Sequence, residues 1–99
     1  MTSGRDPAPS RAKREVTLGP ADALHVRPAS VLAQEAGKFQ SRITVRVPSR
    51  EADARSVLGL LSLGAEPGTK LLIEAEGPDA QEAVEAVCAL VERGFRGEQ

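Results

Sequence analysis

The chain has 99 residues, the length of one small domain, and its 13 basic and 14 acidic residues leave a formal net charge of −1. With two aromatic residues and no excess of positive charge, the composition argues against nucleic-acid binding, while one cysteine and one histidine exclude an internal disulfide and a His/Cys metal site. No apolar run approaches the roughly 18–20 residues of a membrane span, so we expect no membrane insertion, and we expect no cofactor or metal.

The first 14 residues differ in composition from the rest of the chain. They hold four basic residues, one acidic residue, two prolines and almost nothing apolar beyond alanine. Such a segment predicts a disordered basic tail over residues 1–14 with a net charge of +3, which leaves −4 for the remaining chain. We expect a folded domain over 15–94 and a frayed end over 95–99. The tail lacks the apolar segment of a secretory signal, which favours a cytoplasmic location.

Apolar periodicity, bounded by glycine and proline, predicts seven elements after the tail. In chain order we expect a strand at 16–18, a helix at 28–36, strands at 43–47 and 51–54, a helix at 57–63, a strand at 71–75 and a helix at 80–93. Each strand has one apolar side, so helices should cover one face of the sheet. The predicted fold is α+β: an open-faced sandwich with a four-stranded antiparallel sheet and three helices, in the order β-α-β-β-α-β-α.

The predicted core consists of branched aliphatic residues and one aromatic ring. It comprises Leu32, Phe39, Ile43, Val45, Leu63, Ile73, Val84, Val87 and Leu90. Cys88 falls on the core side of the last helix and is predicted to be a packing residue. Ser56 and Asp79 stand where the last two helices begin, and both are residue types that cap helix N-termini.

His25 is the candidate for chemistry, because it stands directly before the first predicted helix. The amides of a first helical turn have no partners within the helix and carry partial positive charge, so they bind anions such as phosphoryl groups. The amides of Val26 and Arg27 and the Arg27 guanidinium are expected to hold the oxygens of such a group. Imidazole is a competent nucleophile at neutral pH, and His25 is therefore a candidate acceptor of a phosphoryl group. The alternative is a polar residue at a helix start with no chemistry.

Three stretches resemble one known family in the right order. Residues 24–29 (LHVRPA) are similar to the active-site motif of HPr, the histidine-containing phosphocarrier of the bacterial phosphotransferase system (PTS). Residues 56–64 (SVLGLLSLG) resemble that family's regulatory-serine segment, and residues 76–84 (EGPDAQEAV) resemble its last strand-to-helix junction. The similarity runs over about residues 15–92 without an insertion.

The resemblance implies a phosphoryl relay and a set of partners. A phosphoenolpyruvate-dependent PTS enzyme I would phosphorylate His25 on the pros nitrogen, Nδ1, and the carrier would pass the group to sugar-specific enzyme IIA-type components. The carrier would leave each cycle unchanged, so it is not an enzyme in the usual sense, and it is expected to be a monomer. The same chemistry in a regulatory, nitrogen-linked PTS branch stays open as an alternative.

The second predicted helix has more large apolar residues than one face can bury. Val57, Leu58 and Leu61 are therefore expected to form an exposed patch, and the resemblance implies that partners dock there. It also implies that a dedicated HPr kinase/phosphorylase modifies Ser56, while the residue pattern alone predicts a helix cap. An interaction module regulated through Ser56, with an idle His25, is a further alternative.

Two residues beside His25 depart from the family pattern. Ala23 stands where glycine is usual, and its methyl group would strain the loop if that position required a positive φ. Asp22 adds a carboxylate that either stabilises the imidazolium or repels the incoming phosphoryl group.

Overall fold

Seven elements follow the apolar periodicity of the chain in a computed structural model, which describes residues 10–96. The strands are β1 (Arg11–Thr17), β2 (Arg42–Val47), β3 (Arg50–Asp53) and β4 (Lys70–Glu76), and the helices are α1 (Val26–Ala36), α2 (Val57–Ser62) and α3 (Ala80–Glu92). The order β-α-β-β-α-β-α is the predicted one.

The strands form one antiparallel sheet in the order β1-β4-β2-β3. Along β2 and β4, buried residues such as Ile43, Val45 and Ile73 alternate with polar residues that face away from the core. α3 contacts β1, β4 and β2, and α1 packs against both other helices. These contacts confirm the predicted α+β open-faced sandwich, because a strand with one apolar side needs a covering layer on that side alone.

The predicted core is buried with one exception. Phe39 is half-buried and packs at the margin of the core, because it lies in the turn between α1 and β2 rather than on an enclosed face. Cys88 is fully buried in α3, as predicted. Burial raises the pKa of the Cys88 thiol, since the thiolate would lose its hydration, and this residue is therefore inert packing.

The first strand begins earlier than predicted. Residues 11–14, assigned to the disordered tail, pair with β4 from Arg11 opposite Glu76 onward. The composition is misleading here because β1 lies at an edge of the sheet, where charged side chains are common. The Arg14 guanidinium lies 3.4 Å from the Glu92 carboxylate of α3, so this strand position contacts the helical layer through an ion pair and needs no apolar side chain. Residues 1–9 of the predicted tail lie outside the described residues.

The end of the domain is also better ordered than expected. Phe95, predicted to fray, is only 9% exposed and joins the core, and its amide donates to the Leu90 carbonyl at 2.9 Å. The pattern misses this residue because it follows Gly94, the predicted helix stop. Residues 97–99 of the predicted frayed end lie outside the described residues.

Asp79 takes the N-cap position of α3, but its carboxylate does not cap that helix. It accepts hydrogen bonds from the Gln40 amide at 2.9 Å, the Ser41 amide at 2.9 Å and the Ser41 hydroxyl at 2.6 Å. The prediction of a side-chain cap is wrong because Ser41 is fully buried and its polar groups need an acceptor. Asp79 thus ties the start of α3 to the turn before β2.

Candidate functional site

His25 is the N-cap residue of α1 and leaves its imidazole uncommitted to capping. Its backbone is extended, with φ −83° and ψ −175°, and its carbonyl accepts from the Ala29 amide at 2.9 Å. The side chain makes no capping hydrogen bond and is exposed. α1 begins two residues before the predicted start at Pro28, which stands within the first turn, where its missing N–H is no loss.

The amides that follow His25 are available to a ligand. Within residues 10–96, no acceptor takes a hydrogen bond from the amide of Val26 or Arg27. Both donors belong to the first turn of an 11-residue helix, where the aligned peptide dipoles add partial positive charge. The geometry suits a phosphoryl group bound near the imidazole.

An open depression of about 440 Å³ surrounds this helix start. His25 and Arg27 line it together with Asp22, Glu66 and Arg96. The Arg27 side chain is exposed and forms no ion pair with any residue between 10 and 96. The structure thus brings the predicted histidine and arginine to one shallow, solvent-open place.

The loop between β1 and α1 is held by backbone hydrogen bonds. The Leu24 amide donates to the Ala65 carbonyl at 3.1 Å, and the His25 amide donates to the Ala23 carbonyl at 2.9 Å. Among non-glycine residues in the described part of the chain, Phe95 is the one with a positive φ. Ala23 therefore has no positive φ, and its methyl group causes no backbone strain in the loop.

The Asp22 carboxylate packs between two glycines. A Cβ on Gly19 would come within 2.7 Å of its Oδ2, and a Cβ on Gly94 within 3.6 Å. The absence of side chains at both positions lets the loop before His25 approach the end of α3. The Asp22 carboxylate therefore lies between the backbones of Gly19 and Gly94, at the side of the depression.

The predicted docking residues of α2 differ in exposure. Leu58 is 80% exposed, whereas Val57 and Leu61 are half-buried and pack against the core. Val26, which sequence reasoning used for its amide alone, is 62% exposed at the start of α1. α1 and α2 are in contact, so two exposed apolar side chains lie on neighbouring helices.

Ser56 is exposed and caps α2. Its hydroxyl oxygen accepts a hydrogen bond from the Gly59 amide at 2.9 Å, which confirms the predicted cap.

Arg96 and Glu66 are charged residues at the depression that the sequence analysis missed. Arg96 lies 69 positions after Arg27 in the chain and reaches the site through the turn after α3. No local pattern around Arg96 indicates this, because the contact depends on the path of the chain through Gly94 and Phe95. Within residues 10–96, no group of three or more His, Cys, Asp or Glu is placed to hold a metal ion, and no helix is long and apolar enough to cross a membrane.

An exposed histidine directly before helix amides that have no acceptor within residues 10–96, on a four-stranded open-faced sandwich, fits the class of small phosphoryl-carrying proteins. The family model described as "PTS HPr component phosphorylation site" matches residues 12–93. The phosphocarrier protein HPr of Vibrio cholerae is 40% identical, over 82% of this chain and 95% of that protein. A crystal structure of HPr from Thermoanaerobacter tengcongensis superposes with a TM-score of 0.81 at 34% identity, covering 89% of this chain and 99% of that one.

The chain belongs to the HPr family of PTS phosphocarriers. An HPr structure described as a dimer, also from T. tengcongensis, matches with a TM-score of 0.69 at 39% identity, over 75% of this chain and 85% of that one.

Proposed function

We propose that His25 accepts a phosphoryl group from a phosphoenolpyruvate-dependent PTS enzyme I and passes it to sugar-specific enzyme IIA-type components. The observation that carries this proposal is the placement of an exposed imidazole, which makes no capping hydrogen bond, directly before two helix amides that have no acceptor within residues 10–96. His25 and Arg27 line an open depression, which supports access by successive large partners to the same imidazole.

The reaction transfers a phosphoryl group from the donor enzyme to the imidazole. The lone pair of the His25 pros nitrogen, Nδ1, attacks phosphorus as the bond from phosphorus to the donor atom breaks. The bonding electron pair stays with the donor atom, and the proton on the other ring nitrogen of His25 stays in place. Transfer to the next partner reverses these events, so His25 returns to its starting state and the protein acts as a carrier rather than as an enzyme.

The residues after His25 stabilise the charge of the transferred group. The Val26 and Arg27 amides donate to phosphoryl oxygens, and the Arg27 guanidinium adds a paired cation. Because the site is shallow and open to solvent, water and salt screen these interactions, so they bind the group weakly enough for its release. A carrier needs such a balance, since each cycle ends in release.

Val26 on α1 and Leu58 on α2, two exposed apolar side chains on helices that are in contact, form the centre of the partner-docking surface. Leu58 contributes most of its side chain, and Val57 and Leu61 support it from half-buried positions. The proposal includes a monomer, which leaves this surface open to successive partners, and a cytoplasmic location.

Ser56 is a second site of modification in this proposal. Ser56 is an exposed residue at the start of the docking helix, which supports access by an HPr kinase/phosphorylase without unfolding of the protein. A phosphate there would add about two negative charges beside Leu58 and weaken partner docking.

The test is an intact-mass measurement after incubation with phosphoenolpyruvate and a catalytic amount of enzyme I. The wild-type protein gains one acid-labile phosphoryl group, and His25→Ala gains none. Loss of the label on addition of a sugar-specific enzyme IIA component supports the sugar branch, whereas loss to a nitrogen-branch component alone assigns the carrier to regulation. A label that persists in His25→Ala would contradict the proposal.

For Ser56, incubation with ATP and an HPr kinase adds an acid-stable phosphate that is absent in Ser56→Ala. If that acid-stable label alone forms and His25 stays unmodified, the protein is an interaction module instead.

A further inference from the structure

The chain reverses sharply after α3. Gly94 and Phe95 both have left-handed backbones, with φ of 68° and 64°. Glycine adopts this conformation at no steric cost, but phenylalanine does so against its preference. The burial of the Phe95 side chain and the hydrogen bond from the Phe95 amide to the Leu90 carbonyl hold the turn. The direction in which the chain leaves α3 is therefore set by packing.

The residue after this turn is held in place by its backbone. The Arg96 amide donates to the Arg93 carbonyl at 3.3 Å, and Arg93 Nε donates to the Arg96 carbonyl at 2.6 Å. Arg96 lines the same depression as His25 and Arg27, and its side chain makes no ion pair within residues 10–96. Arg96 thus stands at the depression on a backbone that is hydrogen-bonded on both sides of the residue, and its guanidinium has no ion-pair partner within residues 10–96.

The charges around the depression favour a role for this second cation. Arg27 and Arg96 stand against the carboxylates of Asp22 and Glu66, so the four side chains sum to zero before any ligand binds. A phosphoryl group on His25 would add close to two negative charges to this surface. With Arg27 alone, the two carboxylates would outweigh the side-chain cation, and the phosphorylated state would be disfavoured.

We propose that Arg96 is a second phosphoryl-binding arginine of the carrier, which contacts the phosphoryl oxygens on His25 and stabilises the phosphorylated state. This inference rests on the proposed function of His25. Because both arginines are exposed, the interaction is screened by salt, and its effect is a modest shift in the transfer equilibrium rather than an absolute requirement.

An equilibrium measurement separates this role from partner docking, because enzyme I acts as a catalyst and cannot change an equilibrium. The carrier is held with catalytic enzyme I at fixed ratios of phosphoenolpyruvate to pyruvate, and the phosphorylated fraction is read by intact mass. We expect Arg96→Gln to lower the equilibrium constant for phosphorylation about threefold to tenfold at low salt, with the difference shrinking toward 1 M salt. Arg96→Lys should recover part of the loss, since it keeps the charge and loses the fork.

Arg42→Gln is the matched control. It removes the same charge from β2 on the open face of the sheet, where Arg42 makes no ion pair within the described residues. Its equilibrium constant should equal that of the wild type. Thermal unfolding of each variant shows whether the fold is intact, and a purely structural role for Arg96 would move the midpoint of unfolding without the salt-dependent change in equilibrium.

Two results overturn the inference. One is an Arg96→Gln constant equal to the wild-type value at low salt, and the other is an equal loss in Arg42→Gln. Both are distinct from failure of the proposed function, in which the wild-type protein itself gains no acid-labile label.

Discussion

The helices α1 and α2 begin in different ways, although each starts with an exposed polar residue. Ser56 satisfies the Gly59 amide with its own hydroxyl. His25 makes no side-chain cap, and the Val26 and Arg27 amides have no acceptor within residues 10–96. A self-capped helix start contributes stability, whereas an uncapped start keeps donors for a ligand. The difference teaches that α1 lacks a stabilising cap contact at the place where we propose an anion site.

The largest effect is expected when the N-cap residue of α1 is replaced by the type found in α2. His25→Ser supplies α1 with a side-chain cap of the kind that α2 has. We expect complete loss of the acid-labile phosphoryl group together with a gain of about 0.5–1 kcal/mol in unfolding free energy. Intact mass and urea unfolding measure the two effects. His25→Ala, which removes the nucleophile without adding a cap, is the control, and equal stability of the two variants would refute the uncapped description of α1.

The exposed apolar residues at the two helix starts should have the next largest effect. Leu58→Asn should slow phosphoryl transfer from enzyme I about tenfold, because a truncated central contact typically costs more than 1 kcal/mol in binding. Stability should change by less than about 0.5 kcal/mol, since Leu58 is exposed. Leu72→Asn, a half-buried leucine on the open face of the sheet, is the control for transfer rate. A similar slowing in both variants would count against docking at α2.

Removing the α2 cap should affect stability and leave chemistry intact. Ser56→Ala leaves the Gly59 amide without its acceptor, and we expect a loss of about 1 kcal/mol in unfolding free energy. The phosphoryl equilibrium at His25 should stay at the wild-type value. Ser62→Ala removes a hydroxyl from the other end of α2 and should cost less. If the two serine variants were equally stable, the cap would carry no special weight.

The start of α3 adds a third arrangement and the smallest expected effect, confined to acid. Hydrogen bonds from the Ser41 hydroxyl and the Gln40 amide hold the pKa of Asp79 below its ordinary value of 3.8. A carboxyl whose pKa is lower when folded contributes stability above its unfolded pKa and loses it as the pH falls through the folded value. The unfolding free energy of the wild type should therefore decrease as the pH is lowered from about 3.8. Part of that decrease should be absent in Asp79→Asn.

The control is Glu82→Gln, which removes a carboxylate from the first turn of the same helix. An acid profile of Asp79→Asn that matches the wild type would show that the network with Ser41 has no effect on stability.

Local patterns predict most of this molecule, because short-range chemistry determines it. Alternation gives the central strands, helical spacing gives the three helices, and Ser56 caps its helix as its type suggests. The extension of β1 over residues 11–14 is not readable, because charged edge residues pair through their backbones.

The residues of the candidate site also fall into two groups: those that a local pattern predicts and those that depend on tertiary contacts. His25, Val26 and Arg27 are neighbours in the chain, so their proximity follows from one turn of helix. Arg96 lies at the same depression because a turn held by the packing of Phe95 brings it there. Asp79 accepts a hydrogen bond from the buried Ser41 hydroxyl instead of capping α3 with its side chain. Contacts between residues so far apart in sequence leave no trace in a local motif.

The two ends of the described chain are unequal places to attach a probe. Ser10 enters beside Gly77, and β1 then runs seven residues toward the His25 loop, so the entry point lies about 20 Å from the transfer end of the sheet. Arg96, by contrast, leaves from the margin of the depression itself. A fluorophore, surface linker or affinity tag fused ahead of β1 should leave transfer unhindered. The same group fused after Arg96 would overhang the imidazole and compete with each incoming partner.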